Sequence, residues 1–236
     1  SEGTVFDVFK VQAAWSRITL NRGMFPTYGS STDIMLQVTV PGSDLTYFKT
    51  NIKQKFYRPL GFANLVFGFN GELGYIGTYG DTKKTPFFEN FYSGGPRSIR
   101  GFESNTLGPR VTPAPCYEFN PVTEECPLII DTDFDGVPDS IGQNPYAYQQ
   151  LRDPIGGNFL VEGSLQLIFK LPMVDDQRSM RSAFFLDFGN VFSTDCQSYQ
   201  LNCYEASFDE LKYSLGVGVT WITGFGPMSF SFSQPF

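Results

Sequence analysis

Arg100 sits in GGPRSIRGFESNTLGP at positions 94–109, with Gly94 and Gly95 ahead of it and Gly101 and Phe102 behind. Glycines let a backbone turn tightly and approach other groups closely, so the guanidinium can be held against a partner rather than left in water. The chemistry this suggests is positional: a planar fork of donors gripping a carboxylate. Two carboxylates fall on segments that read as strands, Asp187 in RSAFFLDFGNVF and Glu162 in VEGSLQLIF. Each lies on the polar side of its segment, which makes a charge cluster around Arg100 the first expectation.

A second constellation is DTDFDGVPDS, where Asp131, Asp133, Asp135 and Asp139 surround Gly136. Alternating carboxylates can wrap a hard cation through oxygens while a glycine allows the sharp turn. The pattern resembles the calcium loops of thrombospondin type 3 repeats and the first half of an EF-hand, but the closing Glu of the latter is replaced by Gly142 and only one copy is present. A solvated acidic loop is the default reading, with calcium the candidate ion. No cofactor is required.

Other chemistry is narrowed by what is missing. The chain contains no histidine, which removes Ser-His hydrolytic pairs and histidine metal sites and points away from an enzyme. No Lys-Ser/Thr follows the glycines of the Arg100 loop, so they are not a phosphate cradle. A formal charge of −7 argues against a nucleic-acid partner. Four cysteines allow three connectivities. The sequence-local one, Cys116 with Cys126 and Cys196 with Cys203, is preferred because each pair closes a small loop and neither has metal spacing. Disulfides would place these loops in an oxidising compartment.

The elements that must position these residues are strands. Eight segments alternate with a period near two, at 5–20, 31–41, 45–58, 62–77, 157–171, 180–192, 209–222 and 226–235. In the fifth, Val161, Leu165 and Leu167 alternate with Glu162, Ser164 and Gln166; in the sixth, Phe184, Leu186 and Phe188 alternate with Phe185, Asp187 and Gly189. One face suits lipid and the other a polar lumen. With 25 Phe, 12 Tyr and only 17% charged residues, the composition suits an antiparallel transmembrane barrel with aromatic rims. There is no run of 18 apolar residues for a helical span, and no N-terminal signal segment is read. Tight turns at 58–61, 172–178 and 223–226 alternate with long loops at 78–156 and 193–208, as the periplasmic and outer sides of such barrels do. A loop of roughly 80 residues is expected to be functional.

The Arg-Gly-Phe tripeptide at 100–102 resembles the signature loop of the Omp85 superfamily, the outer-membrane barrel insertases and transporters. LNRGMFPTYGS at 20–30, PFFENFYSGG before the motif, RSAFFLDFGNVF at 181–192 and GPMSFSFSQPF at the end resemble its barrel-assembly branch, in the same order along the chain. The resemblance implies that residues 1–236 are the C-terminal part of a sixteen-stranded barrel, with earlier strands and periplasmic POTRA domains before Ser1 and a final strand after Phe236. It implies a non-enzymatic factor in the Gram-negative outer membrane that folds and inserts client β-barrel proteins beside accessory assembly lipoproteins. A secretion pore and a passive diffusion porin are the alternatives. The resemblance also implies that the loop arginine pairs with one acid on each of two strands. Asp187 matches one. The other position falls on Gln166, so Glu162, four residues earlier and about 13 Å along the strand, is the substitute to examine. Relatives carry a cysteine pair in the signature loop, where Cys116 and Cys126 fall.

Overall fold

The computed structural model describes residues 6–110, 153–171, 179–196 and 203–236. Eight strands form one antiparallel sheet in simple sequence order: β1 (Lys10–Ile18), β2 (Gly29–Thr39), β3 (Tyr47–Pro59), β4 (Val66–Thr78), β5 (Phe159–Phe169), β6 (Met180–Phe192), β7 (Lys212–Thr223) and β8 (Gly226–Pro235). The sheet is open, since β1 and β8 each pair on one side only.

Alternation decides which face each residue takes. In β8, Met228, Phe230 and Phe232 point outward and are exposed, while Ser229, Ser231 and Ser233 line the inner face. The same outward set runs across the sheet through Val11, Trp15, Ile34, Ile52, Leu73 and Phe184. An apolar surface this continuous is the lipid-facing band of a membrane barrel wall. The inner face holds Asp33, Asn51, Glu72, Glu162 and Asp187.

Strand bounds agree with the sequence reading to within a few residues at most ends, and β6 and β8 match at both. The first strand starts later than expected, at Lys10, because Asp7 and Phe9 are tied by side chains of the β2–β3 connection: the Asp7 amide donates to Asp44 Oδ2 (2.7 Å) and the Phe9 amide to Ser43 Oγ (3.0 Å). The β3–β4 turn also shifts. It was expected at 58–61, but β3 runs on through Pro59, paired with Val66, and the chain reverses at Ala63 and Asn64, whose φ angles of 50° and 53° are left-handed. A short 3-10 turn, Phe87–Glu89, interrupts the long β4–β5 connection. The expected turn at 172–178 lies outside the described residues.

The buried core lies on the inner face, under the start of the long connection. Tyr47, Ile76, Phe91, Leu160 and Val191 pack together, with Val8 and Leu45 against them. Phe91 belongs to the loop, and its ring occupies the space over Gly74, where an added Cβ would come within 2.5 Å of it. Backbone bridges from Phe91 to Gly157 and from Arg110 to Pro154 bring the two ends of the connection together.

Candidate functional site

Three consecutive inner-face positions make the floor of the site. Register places Ser164 of β5 opposite Asp187 of β6, and Asp187 opposite Ser214 of β7. Asp187 is fully buried. Arg100 reaches it three times: the backbone amide donates to Oδ2 (3.1 Å), Nε to Oδ2 (2.7 Å) and Nη2 to Oδ1 (2.7 Å). Nη2 also donates to Ser164 Oγ (3.1 Å), and the guanidinium carbon lies 3.2 Å from the centroid of the Phe185 ring, two residues along β6 from Asp187. A bidentate fork stacked on an aromatic face uses both the planarity and the weak hydration of guanidinium, which a lysine could not reproduce.

The loop backbone makes this approach possible through its glycines. Gly94 and Gly101 have φ of +100° and +92°. A Cβ on Gly94 would lie 2.6 Å from the Glu103 carbonyl oxygen, so the loop closes on itself there; the Ser93–Leu107 bridge completes the fold-back. At Gly101 a Cβ would meet Ser233 Oγ at 3.2 Å and Pro235 Cδ at 3.4 Å, which puts the motif against β8 as well as β6. Phe102 is half-buried. On the wall, Gly216 of β7 leaves the room that the Phe185 ring takes, since a Cβ there would stand 2.5 Å from the ring.

Glu162 does not pair with Arg100, contrary to expectation. It lies opposite Gly189, one inner-face step beyond Asp187, and its carboxylate accepts a hydrogen bond from Ser98 in the loop. The Ser98 hydroxyl in turn accepts from the Gly94 amide (3.0 Å) and contacts Ser93 Oγ (3.1 Å). The loop thus reaches Glu162 through a neutral hydroxyl two residues before the arginine. Gln166 stands on the other side of Ser164 and donates to its Oγ (3.3 Å). Arg100, Glu162, Ser164 and Gln166 line one inner cavity of about 430 Å³, together with Lys53 and Glu72, which are paired at 3.0 Å.

A second attachment lies at the start of the loop. Glu89 accepts hydrogen bonds from Lys10 of β1 and from Tyr47 Oη of β3 (2.8 Å), and Lys49 of β3 lies 3.4 Å from its other oxygen while donating to its carbonyl (2.7 Å). Burial raises the Glu89 pKa, but the hydrogen bonds from Lys10 and Tyr47 and the nearby Lys49 charge outweigh it, leaving the carboxyl below its ordinary range. Glu89 and Ser98 lie in PFFENFYSGG and GGPRSIRGFESNTLGP, the segments that carry the family resemblance, yet nothing in them marks either residue as a contact; Gly216 carried no signal, and Ser164 only the polar alternation of β5.

Cys196 and Cys203 form a disulfide with Cα atoms 5.7 Å apart. Cys116, Cys126 and the acidic run Asp131, Asp133, Asp135 and Asp139 lie outside the described residues.

Comparison with known proteins follows this geometry. The family model for the Omp85 superfamily domain matches residues 1–236. The outer membrane protein assembly factor BamA of Neisseria meningitidis serogroup B is 31% identical over 97% of this chain. The crystal structure of Haemophilus ducreyi BamA lacking POTRA domains 1–3 superposes with a TM-score of 0.72 at 27% identity, again over 97% of this chain. The chain spans 26% of the length of the first and 39% of the second. An eight-stranded wall with an outward apolar band, an inner-face loop carrying Arg-Gly-Phe, and a family match from end to end establish that this chain belongs to the Omp85 superfamily, as an integral protein of the Gram-negative outer membrane.

Proposed function

We propose that this chain is the braced wall of an assembly factor that folds client β-barrel proteins and inserts them into the outer membrane, working with periplasmic POTRA domains and accessory assembly lipoproteins. The observation that carries the reading is the attachment of the loop across the inner face: Glu89 is held by β1 and β3, whereas Arg100 and Gly101 rest on β6 and β8. A loop fixed at both sides of the wall obstructs the lumen, which suits an insertase better than a diffusion porin. No covalent chemistry is called for. Insertion needs strand pairing and a local route out of the wall, because an unpaired backbone amide in hydrocarbon is costly. What these residues contribute is a stiff surface from which the rest of the barrel can open.

The test is a charge-swap cycle in the full-length protein: Arg100→Glu, Asp187→Arg and the pair together, scored by levels of outer-membrane proteins in cells. Each single change is expected to depress client assembly, and the double to restore part of it. Normal client levels with Arg100→Glu would sink the proposal and favour a pore whose loop is dispensable. A large, steady single-channel conductance from the unaltered protein would do the same.

A further inference from the structure

On the side away from the lumen, the arginines of β1 and β3 gather at the end of the short turns. On β1, outward positions run Val11, Ala13, Trp15 and then Arg17; on β3 they run Ile52, Phe56 and then Arg58. In both strands the arginine stands two residues, about 7 Å, beyond an exposed outward aromatic, Trp15 or Phe56, at the end where the short turns lie, with Ile18 and Leu60 exposed just past it. The β1–β2 connection adds an exposed Arg22, and Met24 and Phe62 are exposed on the same two turns. Residues 19–28 and 60–65 contain no carboxylate. None of the three arginines enters an ion pair among the described residues. Nearby Asp33 faces inward, where Ser16 and Ser31 donate to it. At the opposite end, the loops carry Asp7, Asp44, Asp81, Asp195 and Asp209 alongside Lys83 and Lys84; at the short-turn end, Asp175 and Asp176 of the β5–β6 turn lie outside the described residues.

We propose that Arg17, Arg22 and Arg58 form a rim that binds the phosphate headgroups of anionic phospholipid in the leaflet facing the short turns. The position supplies the argument. A cation just past the edge of an apolar band can extend to the headgroup layer while its methylene stem stays on hydrocarbon. An unpaired guanidinium there meets lipid phosphate with a bidentate match, and exposed Met24 and Phe62 suit the same boundary layer. The outward aspect of Arg17 and Arg58 selects a bilayer over a soluble acidic protein. This inference rests on the membrane wall alone and is independent of the insertase reading.

The experiment places the full-length protein in phosphatidylcholine vesicles containing spin-labelled phosphatidylglycerol or spin-labelled phosphatidylcholine, and reads the ratio of the two bound at the protein surface. The anionic lipid should be favoured, and added salt should weaken the preference. The variant with Arg17→Gln, Arg22→Gln and Arg58→Gln should lower the ratio by up to about fivefold for each arginine in contact with a headgroup. The corresponding Arg→Lys variant should keep most of it, and heat-modifiable gel mobility should verify that each barrel has folded. An unchanged ratio in the folded Gln variant would overturn the proposal. So would an equal fall on replacing Lys83 and Lys84 at the loop end. Displacement of the lipid by inorganic phosphate beyond the effect of chloride at equal ionic strength would make the rim a free-anion site instead. Loss of a co-purifying acidic subunit with the lipid ratio intact would make it a protein surface.

Discussion

The long loop is tied to the wall at two places, and the two ties are built on opposite principles. At Arg100 one guanidinium meets one fully buried carboxylate, with an aromatic ring beneath and a hydroxyl at the side. At Glu89 one carboxylate is shared between two lysines and a tyrosine, and Lys10 keeps about a third of its side chain exposed. The first tie has a single partner for each charge and little access to water. Losing Arg100 strands the fully buried Asp187 without a counter-charge, and losing Asp187 leaves Arg100 with only Ser164 beside the inner cavity. The second is redundant: Glu89 and Lys49 are as buried as Arg100, but only Lys10 reaches much water, and one cation can be lost while the other holds the carboxylate. Single pairing concentrates energy and geometry at one point; sharing spreads both.

The largest effect should follow from Asp187→Ala, which leaves Arg100 without its counter-charge. Truncating one side of a buried pair costs about 3–5 kcal/mol, visible as a lower temperature of heat-modified gel mobility and as protease cleavage in the loop. A loss no greater than that of Glu89→Gln would erase the contrast between the ties. Next comes Gly216→Val, whose Cβ would stand 2.3 Å from the Phe232 carbonyl oxygen of β8 as well as 2.5 Å from the Phe185 ring; overpacking of this kind costs about 1–3 kcal/mol, and because the β8 backbone cannot move aside, adding Phe185→Leu should leave most of the loss in place. Ser98→Ala removes the loop's hydrogen bond to Glu162, and bonds to charged groups contribute about 1.5–3 kcal/mol. Its effect should shrink in a Glu162→Gln background, a coupling that a double-mutant cycle reads directly.

Glu89→Gln should be the mildest, because the amide keeps an acceptor oxygen for Lys10 and Tyr47. Its pH dependence sharpens the comparison. The Glu89 carboxyl is held below its ordinary range in the folded protein. Its contribution is therefore fully present above the unfolded glutamate pKa and is lost as pH falls through the lower folded value. Loop protection from protease, measured as a function of pH, should decline on acidification in that window, and the Glu89→Gln protein should lack that part of the decline.

How far the sequence foretold this depends on the direction in which one reads it. Along a strand, period-two alternation was enough: it put Phe184 outside and Phe185 and Asp187 inside, and it bounded β6 correctly. Across strands it was silent. Arg100 and Glu162 looked compatible because Glu162 shares a face with Gln166, yet the partner of Arg100 on β5 is decided by register, which sets Ser164 against Asp187 and leaves Glu162 opposite Gly189. The late start of β1 and the displaced β3–β4 turn have a similar origin. Side-chain bonds from Ser43 and Asp44 and left-handed backbone at Ala63 and Asn64 override the local apolar pattern. Glu89 lies in PFFENFYSGG, but nothing local marks it as a tie, since its three partners lie 40 to 79 residues away in sequence.

The row from Ser164 through Asp187 to Ser214 has one more consequence, for the order of events when the chain folds. A one-residue slip of β6 against either neighbour would turn Asp187 toward hydrocarbon and Phe184 into the lumen. Arg100 would then meet no carboxylate, and its loop could not seat. The arginine therefore acts as a checksum: it closes only after β5 and β6 have been paired in the right frame, and a misthreaded pair is left with an unlatched, protease-sensitive loop that marks the error.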